Sequence, residues 1–376
     1  MQANLFCGSC QLYGVCGGAK SAPCGCMFVG TDKAYECKTC LIGCRERASD
    51  AGDFLAHVND GHSLSQVRVH HGTDFPVLPL VLPVKGGKSD AHLPVAFATA
   101  DLEQMLAFFS TLGKNKALHE RIRVPAGIPL VGIMNSSDDV LERFWNLPDR
   151  NAFFECLSDA GVIAITGPTF SLFDEYEKRK TVTSHHVLMM RRHNRVLNEI
   201  ADNGIMPIPN LYFRNQFDID AWANWLRVNN VRILKRDFSM TKNISRFVES
   251  EIQSLKTIVL KSGKKFHMIF TGVGSKNADI FLRVFAQIGC TCSFVTSDPM
   301  HKAIRGGAEL YILNGKMESR QQLSLDRPLL VHPNYIQLEK HLSKIALDEY
   351  PSIYGSAYVD NFGKLPIIQQ AESLAA

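Results

Sequence analysis

From residue 93 onward the chain alternates short apolar runs with amphipathic stretches, and this rhythm limits the fold more than any other feature. Apolar runs at 93–99, 128–134, 161–166, 205–213, 231–238, 266–271, 291–297 and 308–313 have the length and bounding turns of strands. Strands covered on both faces read as near-continuous apolar runs, as these do. Between them Leu102, Met105, Leu106 and Phe109 recur at helical spacing, and a long helix over 183–202 stops at Asn203-Gly204. Further helices are expected over 218–228, 242–261, 276–288, 299–305 and 333–347. Eight strands, each followed by a helix or helical turn, predict an α/β fold: a (β/α)8 TIM-like barrel over 91–350, close to the roughly 250 residues such a barrel takes. An open doubly wound sheet is the rival. It often carries a glycine-rich turn after its first strand, and none follows 93–99.

Ahead of the barrel lies a different kind of sequence. Eight of the 11 cysteines fall in the first 44 residues: Cys7, Cys10, Cys16, Cys24, Cys26, Cys37, Cys40 and Cys44. A C-x2-C pair lets two thiolates grip one ion from a tight turn, so Cys7, Cys10, Cys37 and Cys40 could hold zinc. The eight thiolates together could equally serve two metal centres, or an iron–sulfur cluster with ligands to spare. Iron–sulfur and zinc stand level here, ahead of disulfides. The triplet Cys7, Cys10, Cys16 resembles part of the auxiliary-cluster motif of SPASM-type radical enzymes, while the C-x3-C-x2-C triplet that binds S-adenosylmethionine clusters is absent. Residues 1–47 are therefore expected to form a cysteine-rich metal-binding module, joined by a linker over 48–90, with a tail over 351–376. Cys156, Cys290 and Cys292 read as ordinary packing residues.

Composition bounds the setting. Hydrophobic content is 45% and charged content 21%, typical of a globular protein. No apolar run reaches the roughly 20 residues of a membrane span, and prolines interrupt the apolar stretch at 75–84. The amino terminus lacks a basic region followed by an apolar one, so the expected setting is cytoplasmic, without a membrane partner. A net charge of +4 permits a nucleic-acid partner without demanding one. Oligomeric state is not legible.

In a (β/α)8 barrel the chemistry sits at the carboxyl ends of the strands. The polar residues expected there are Thr99 and Asp101; Asn135; Thr166 and Thr169; Asn210, Tyr212 and Arg214; Lys235 and Asp237; Thr271, Gly272 and Gly274; Ser297, Asp298 and His301; and Asn314 and Lys316. Asp298 follows an apolar run and precedes Pro299, so it either caps a short helix or emerges at the mouth as a nucleophile beside His301 and Arg305. Asp237 ends the fifth strand near Lys235 and Arg236, either in a structural ion pair or as a functional group at the mouth. Gly272 and Gly274 allow a sharp turn, or a close approach to phosphate at the next helix. Asp298 and Asp237 are the carboxylates that stand out among these positions. The candidate substrate contacts are Thr271, Gly272, Gly274, Asn210, Tyr212, His301 and Arg305. His185, His186, His193 and Asn194 cluster on the long helix without a carboxylate at metal-ligand spacing. Trp222 and Trp225 either pack in the core or stack on a base.

The segment 267–274, with its G-V-G, resembles the sixth-strand motif of the tRNA-guanine transglycosylase superfamily. Ser297-Asp298-Pro299 followed by Arg305-Gly306-Gly307 is similar to that family's nucleophilic aspartate and the Arg and Gly after it. The stretch 185–194, then Pro207-Ile208-Pro209-Asn210, resembles the His and Asn helix and the P-V-L-Q strand of the branch that inserts 7-deazaguanine bases into DNA. The resemblance covers 160–310. The family's D-S-G-G-F motif is missing, with Asp101 a positional stand-in, and no cysteine follows Cys292 to supply its zinc site. The resemblance implies a base-exchange transferase with Asp298 as nucleophile and Asp101 or Asp237 as general acid or base. Two other readings stay open: an iron–sulfur oxidoreductase or lyase with the barrel as substrate domain, and a non-catalytic module that binds nucleic acid or protein.

Overall fold

The computed structural model describes residues 80–81 and 98–354, except 112–116, 123, 125, 127, 170–182, 214–215, 230, 240–243 and 323–325. The eight clustered cysteines, Arg214 and the tail beyond 354 lie outside the described residues.

The chain is a mixed α/β protein built on one eight-stranded parallel sheet. Its strands are β1 (Leu80–Val81), β2 (Ala98–Asp101), β3 (Leu130–Ile133), β4 (Val162–Thr166), β5 (Met206–Ile208), β6 (Ile233–Asp237), β7 (His267–Thr271) and β8 (Thr291–Thr296). Helices α1 (Leu102–Phe109) and α2 (Leu118–Ile122) follow β2, and α3 (Asp138–Trp145) and α4 (Arg150–Asp159) follow β3. Then come α5 (Thr183–Asp202), α6 (Gln216–Val228), α7 (Ile244–Ser262), α8 (Ala278–Ala286) and α9 (Asp298–Ile304), one after each of β4 to β8. Among the described residues no helix is long and apolar enough to cross a membrane.

The sheet order is β5-β4-β3-β2-β1-β8-β7-β6. Its two outermost strands are consecutive in sequence, and they meet: Asn210 and Lys235 form a parallel bridge. Two backbone bonds support it, Leu211 N–H to Lys235 O at 2.7 Å and Lys235 N–H to Pro209 O at 2.9 Å.

Alternation along the strands sorts the side chains into layers. Val131, Ile133, Ala164, Met206, Ile208, Ile233, Ile269 and Val295 form one cluster from six strands, on what we call the inner face. Their neighbours Leu130, Ile165, Leu234, Phe270 and Phe294 point the other way, into the apolar layers beneath the helices. A fully covered sheet explains why each strand reads as a continuous apolar run.

The seven apolar runs from 93–99 to 291–297 correspond to β2 through β8. The eighth does not join the sheet. Residues Ala308–Leu313 form β9, which pairs antiparallel with β10 (Lys316–Gln321) in a separate two-stranded ribbon. The cause is local: Asn314 (φ 51°) and Gly315 (φ 74°) make a two-residue turn with both φ positive, the geometry that closes hairpins. Asn314 and Lys316 thus belong to a hairpin tip and not to the sheet's carboxyl edge. The eighth strand of the sheet is instead β1, which lies inside the stretch read as a linker and pairs with both β2 and β8. A short 3-10 turn, α10 (Val331–Glu349) and a helical turn over 351–354 close the described chain. On α10, Asn334 ties the ribbon down by accepting from Leu310 N–H at 2.7 Å.

Candidate functional site

All strands of a parallel sheet end on one edge, and two polar groups gather at the carboxyl edge of this one. The first is on the inner face. Lys235 shares its side of β6 with Ile233, so the apolar pattern of the strand carries an ammonium into the interior, where it is 0% exposed. Its Nζ donates to Asn135 Oδ1 at 2.8 Å and lies 3.9 Å from Asp237 Oδ2. Asn135, two residues beyond β3, also accepts from Asn210 Nδ2 at 3.0 Å. Burial pushes the Lys235 amine down to about 8; Asp237 opposes that shift and Arg236 adds to it. Asp237 lies one step nearer the edge. Its Oδ1 accepts from the Ser239 amide at 2.7 Å and hydroxyl at 2.6 Å. In register, Asp237 sits beside Thr271 of β7. Among the described residues, two buried polar atoms in this group have no hydrogen-bond partner: Asn210 Oδ1 and Thr271 Oγ1. An unpaired buried oxygen costs about 1–3 kcal/mol, so a place with two of them is suited to a polar ligand.

His193 on α5 fixes this arrangement from behind. It is fully buried, and the Asn210 amide donates to its Nε2 at 3.3 Å. Nε2 is therefore the acceptor, and Nδ1–H donates to Pro168 O at 2.9 Å. Burial lowers its pKa to about 4, so the ring is neutral. Gly167 is required beside it, because a Cβ there would stand 2.2 Å from His193 Cε1.

The second group lies between β7 and β8. Asp298 is the first residue of α9, with Ser297 at the cap position and no side-chain cap bond. Its carboxylate reaches across to the loop after β7: Oδ2 accepts the Ser275 amide at 2.9 Å and also the Ser275 hydroxyl. Lys302, one turn along α9, stands 3.5 Å from the same oxygen. The carboxylate side chain is 28% exposed. The Ser275 amide, next to the glycines expected to receive a phosphate, is occupied by the chain's own anion.

The remaining expected residues divide. Asp101 caps α1: its Oδ1 accepts from Gln104 N–H, and Gln104 Oε1 accepts from Asp101 N–H, both at 2.9 Å. Tyr212 packs in the core, its ring edge-on to His193 and Trp222. Trp222 and Trp225 are buried in the same layer. Gly272 (φ 77°) turns the chain tightly against the exit of β6; a Cβ there would lie 2.3 Å from Ser239 N. Gly274 faces Asp298, with Oδ2 3.8 Å from where a Cβ would stand. His301 is half-buried on α9, while Arg305 is exposed at the helix's far end, away from the turn that carries Asp298. The cation beside Asp298 is Lys302, and its i+4 spacing was the available signal. Ser275 and the depth of Lys235 were likewise missed; the parity of Lys235 with Ile233 would have revealed the latter.

Among the described residues no group of three or more His, Cys, Asp or Glu side chains is placed to hold a metal ion. No family model matches the chain, and no curated protein matches it significantly.

Proposed function

We propose that the sheet closes into a (β/α)8 barrel and that the chain is a glycosyl-transferring enzyme that exchanges a base on nucleic acid through a carboxylate at the barrel mouth. The β5–β6 bridge supports closure, as does an inner cluster drawing on strands from both ends of the sheet order. The observation that carries the chemistry is Asp298: a partly exposed carboxylate at the carboxyl edge, aimed by Ser275 and beside Lys302. One oxygen is anchored by two donors, which holds the group in a fixed direction for attack. The resemblance of Gly272–Gly274, Asp298 and Arg305-Gly306 to the tRNA-guanine transglycosylase pattern points the same way.

The steps follow double displacement. Asp298 attacks the anomeric carbon of a nucleotide; the carbon–nitrogen bond to the base breaks and the base takes its electrons. The departing base takes a proton from water, and Asp237 takes one from the incoming base and returns it to that water. The incoming base then displaces the carboxylate. The target base must leave its stack to reach the mouth, and Lys302 steadies the carboxylate before and after the reaction.

The test is exchange of radiolabelled guanine or a 7-deazaguanine into DNA and RNA substrates. Asp298→Asn should lower exchange by more than about 1,000-fold, as loss of a nucleophile does. A variant with undiminished exchange removes the reading.

A further inference from the structure

Base exchange at Asp298 uses Asp237 as a proton carrier but gives no role to Lys235 or to the unpaired oxygens beside it. A lysine with no exposed surface is a poor structural element, because its charge has left water for a single neutral amide and a distant carboxylate. An apolar side chain would fill the same space without that cost. Asn135, which holds Nζ, is only half-buried, and the side chain of Asp237 retains 13% exposure. The amine therefore lies one layer below the edge, behind two groups that reach it. Asn210 Oδ1 and Thr271 Oγ1 flank the same layer, buried and without partners. Nucleophilic amine, adjacent carboxylate and two unfilled polar positions are the parts needed to capture a carbonyl compound.

The geometry points to Lys235 as an imine-forming residue that condenses with the carbonyl carbon of a small aldehyde or ketone, or of a ring-opened sugar, at the carboxyl edge of the sheet. Lowered basicity, caused by burial, places a useful fraction of the amine in its neutral form near neutral pH. The balance closes without an oxidant or reductant. Starting from the ammonium, Asp237 takes one proton and frees the lone pair. The nitrogen bonds to the carbonyl carbon, and the oxygen receives a second nitrogen proton. Asp237 returns its proton to that oxygen, which leaves as water. The third proton stays on nitrogen, giving an iminium. Asn210 Oδ1 accepts a hydrogen bond from a hydroxyl of the bound compound, and Thr271 Oγ1 donates to or accepts from a second oxygen. Both unpaired atoms are thereby satisfied.

The experiment is hydride trapping on the full chain. The protein is incubated with sodium cyanoborohydride and, separately, glycolaldehyde, pyruvate, or an oligonucleotide carrying an abasic site. Adducts are then mapped by peptide mass spectrometry. A reduced adduct on Lys235, formed at least tenfold faster than on the exposed lysines Lys261 and Lys316, is the expected result. Adduct with the small carbonyls alone assigns a free metabolite-sized substrate; adduct with the oligonucleotide alone assigns a nucleic-acid sugar. The wild-type map suffices if Lys235→Met does not fold; if it folds, it should lose the rapid adduct. Lys235 unmodified by all three probes, or labelled no faster than surface lysines, overturns the inference. The small-carbonyl arms contain no nucleoside, so their outcome is independent of base exchange.

Discussion

Lys235 is the residue at which fold and chemistry conflict most sharply. With its folded pKa lowered to about 8 from an ordinary 10.5, the unfolded chain holds more protons between those values. Stability therefore rises with pH through that window, and below about pH 8 the full cost of the buried charge is present, on the order of 3 kcal/mol at most. Lys235→Met, similar in volume, should flatten the rise between pH 8 and 10.5 and stabilise the protein at pH 7. Urea denaturation at pH 7 and pH 10 checks this; an equal rise in both proteins would show that another group is responsible. His193 and His267, each lowered to about 4 by burial, act in a separate window. Their neutral forms favour the fold above about 6.5, and that contribution is lost as pH falls towards 4, well away from the lysine's range.

At the scale of elements, the tightest constraint is the turn after β7. Gly272 combines a positive φ with backbone of the β6 exit loop where a Cβ would stand, and that backbone cannot rotate aside as a side chain could. Gly272→Ala should cost about 2–4 kcal/mol, from strain and overpacking together. Gly274→Ala, whose Cβ meets only ordinary contact, should cost much less. Thermal unfolding of the two variants separates them; equal losses would contradict the packing account. The same elements show what was legible in the sequence. Buried parallel strands announce themselves as apolar runs, so β2 to β8 could be read directly. The run at 308–313 looks the same, yet Asn314-Gly315 is a hairpin turn and sends β9 to pair with β10. The first strand was hidden because its ladder engages only Leu80 and Val81, within a proline-broken stretch with no alternation to read. At the site, the end of β8 identified Asp298, but contacts between segments distant in sequence were invisible. Nothing in the chain order tells that Ser275 reaches Asp298, or that Asn135 accepts from Lys235 a hundred positions away.

At the scale of the molecule, parallel strands bring residues from β3, β5, β6, β7 and β8 to one edge, and two arrangements result. One is a directed carboxylate at Asp298, the other an interior amine at Lys235. Arg305 and Tyr212 fall outside them because one sits at the far end of its helix and the other points into the core. Base exchange through Asp298 requires the carboxylate to form a bond to a sugar carbon. The direct measurement is intact and peptide mass spectrometry of protein denatured during turnover with a nucleic-acid substrate. A glycosyl-linked nucleotide adduct mapped to Asp298, and absent from Asp298→Asn, is the result expected. An adduct that persists undiminished in Asp298→Asn, or that maps to a different carboxylate, would contradict the account.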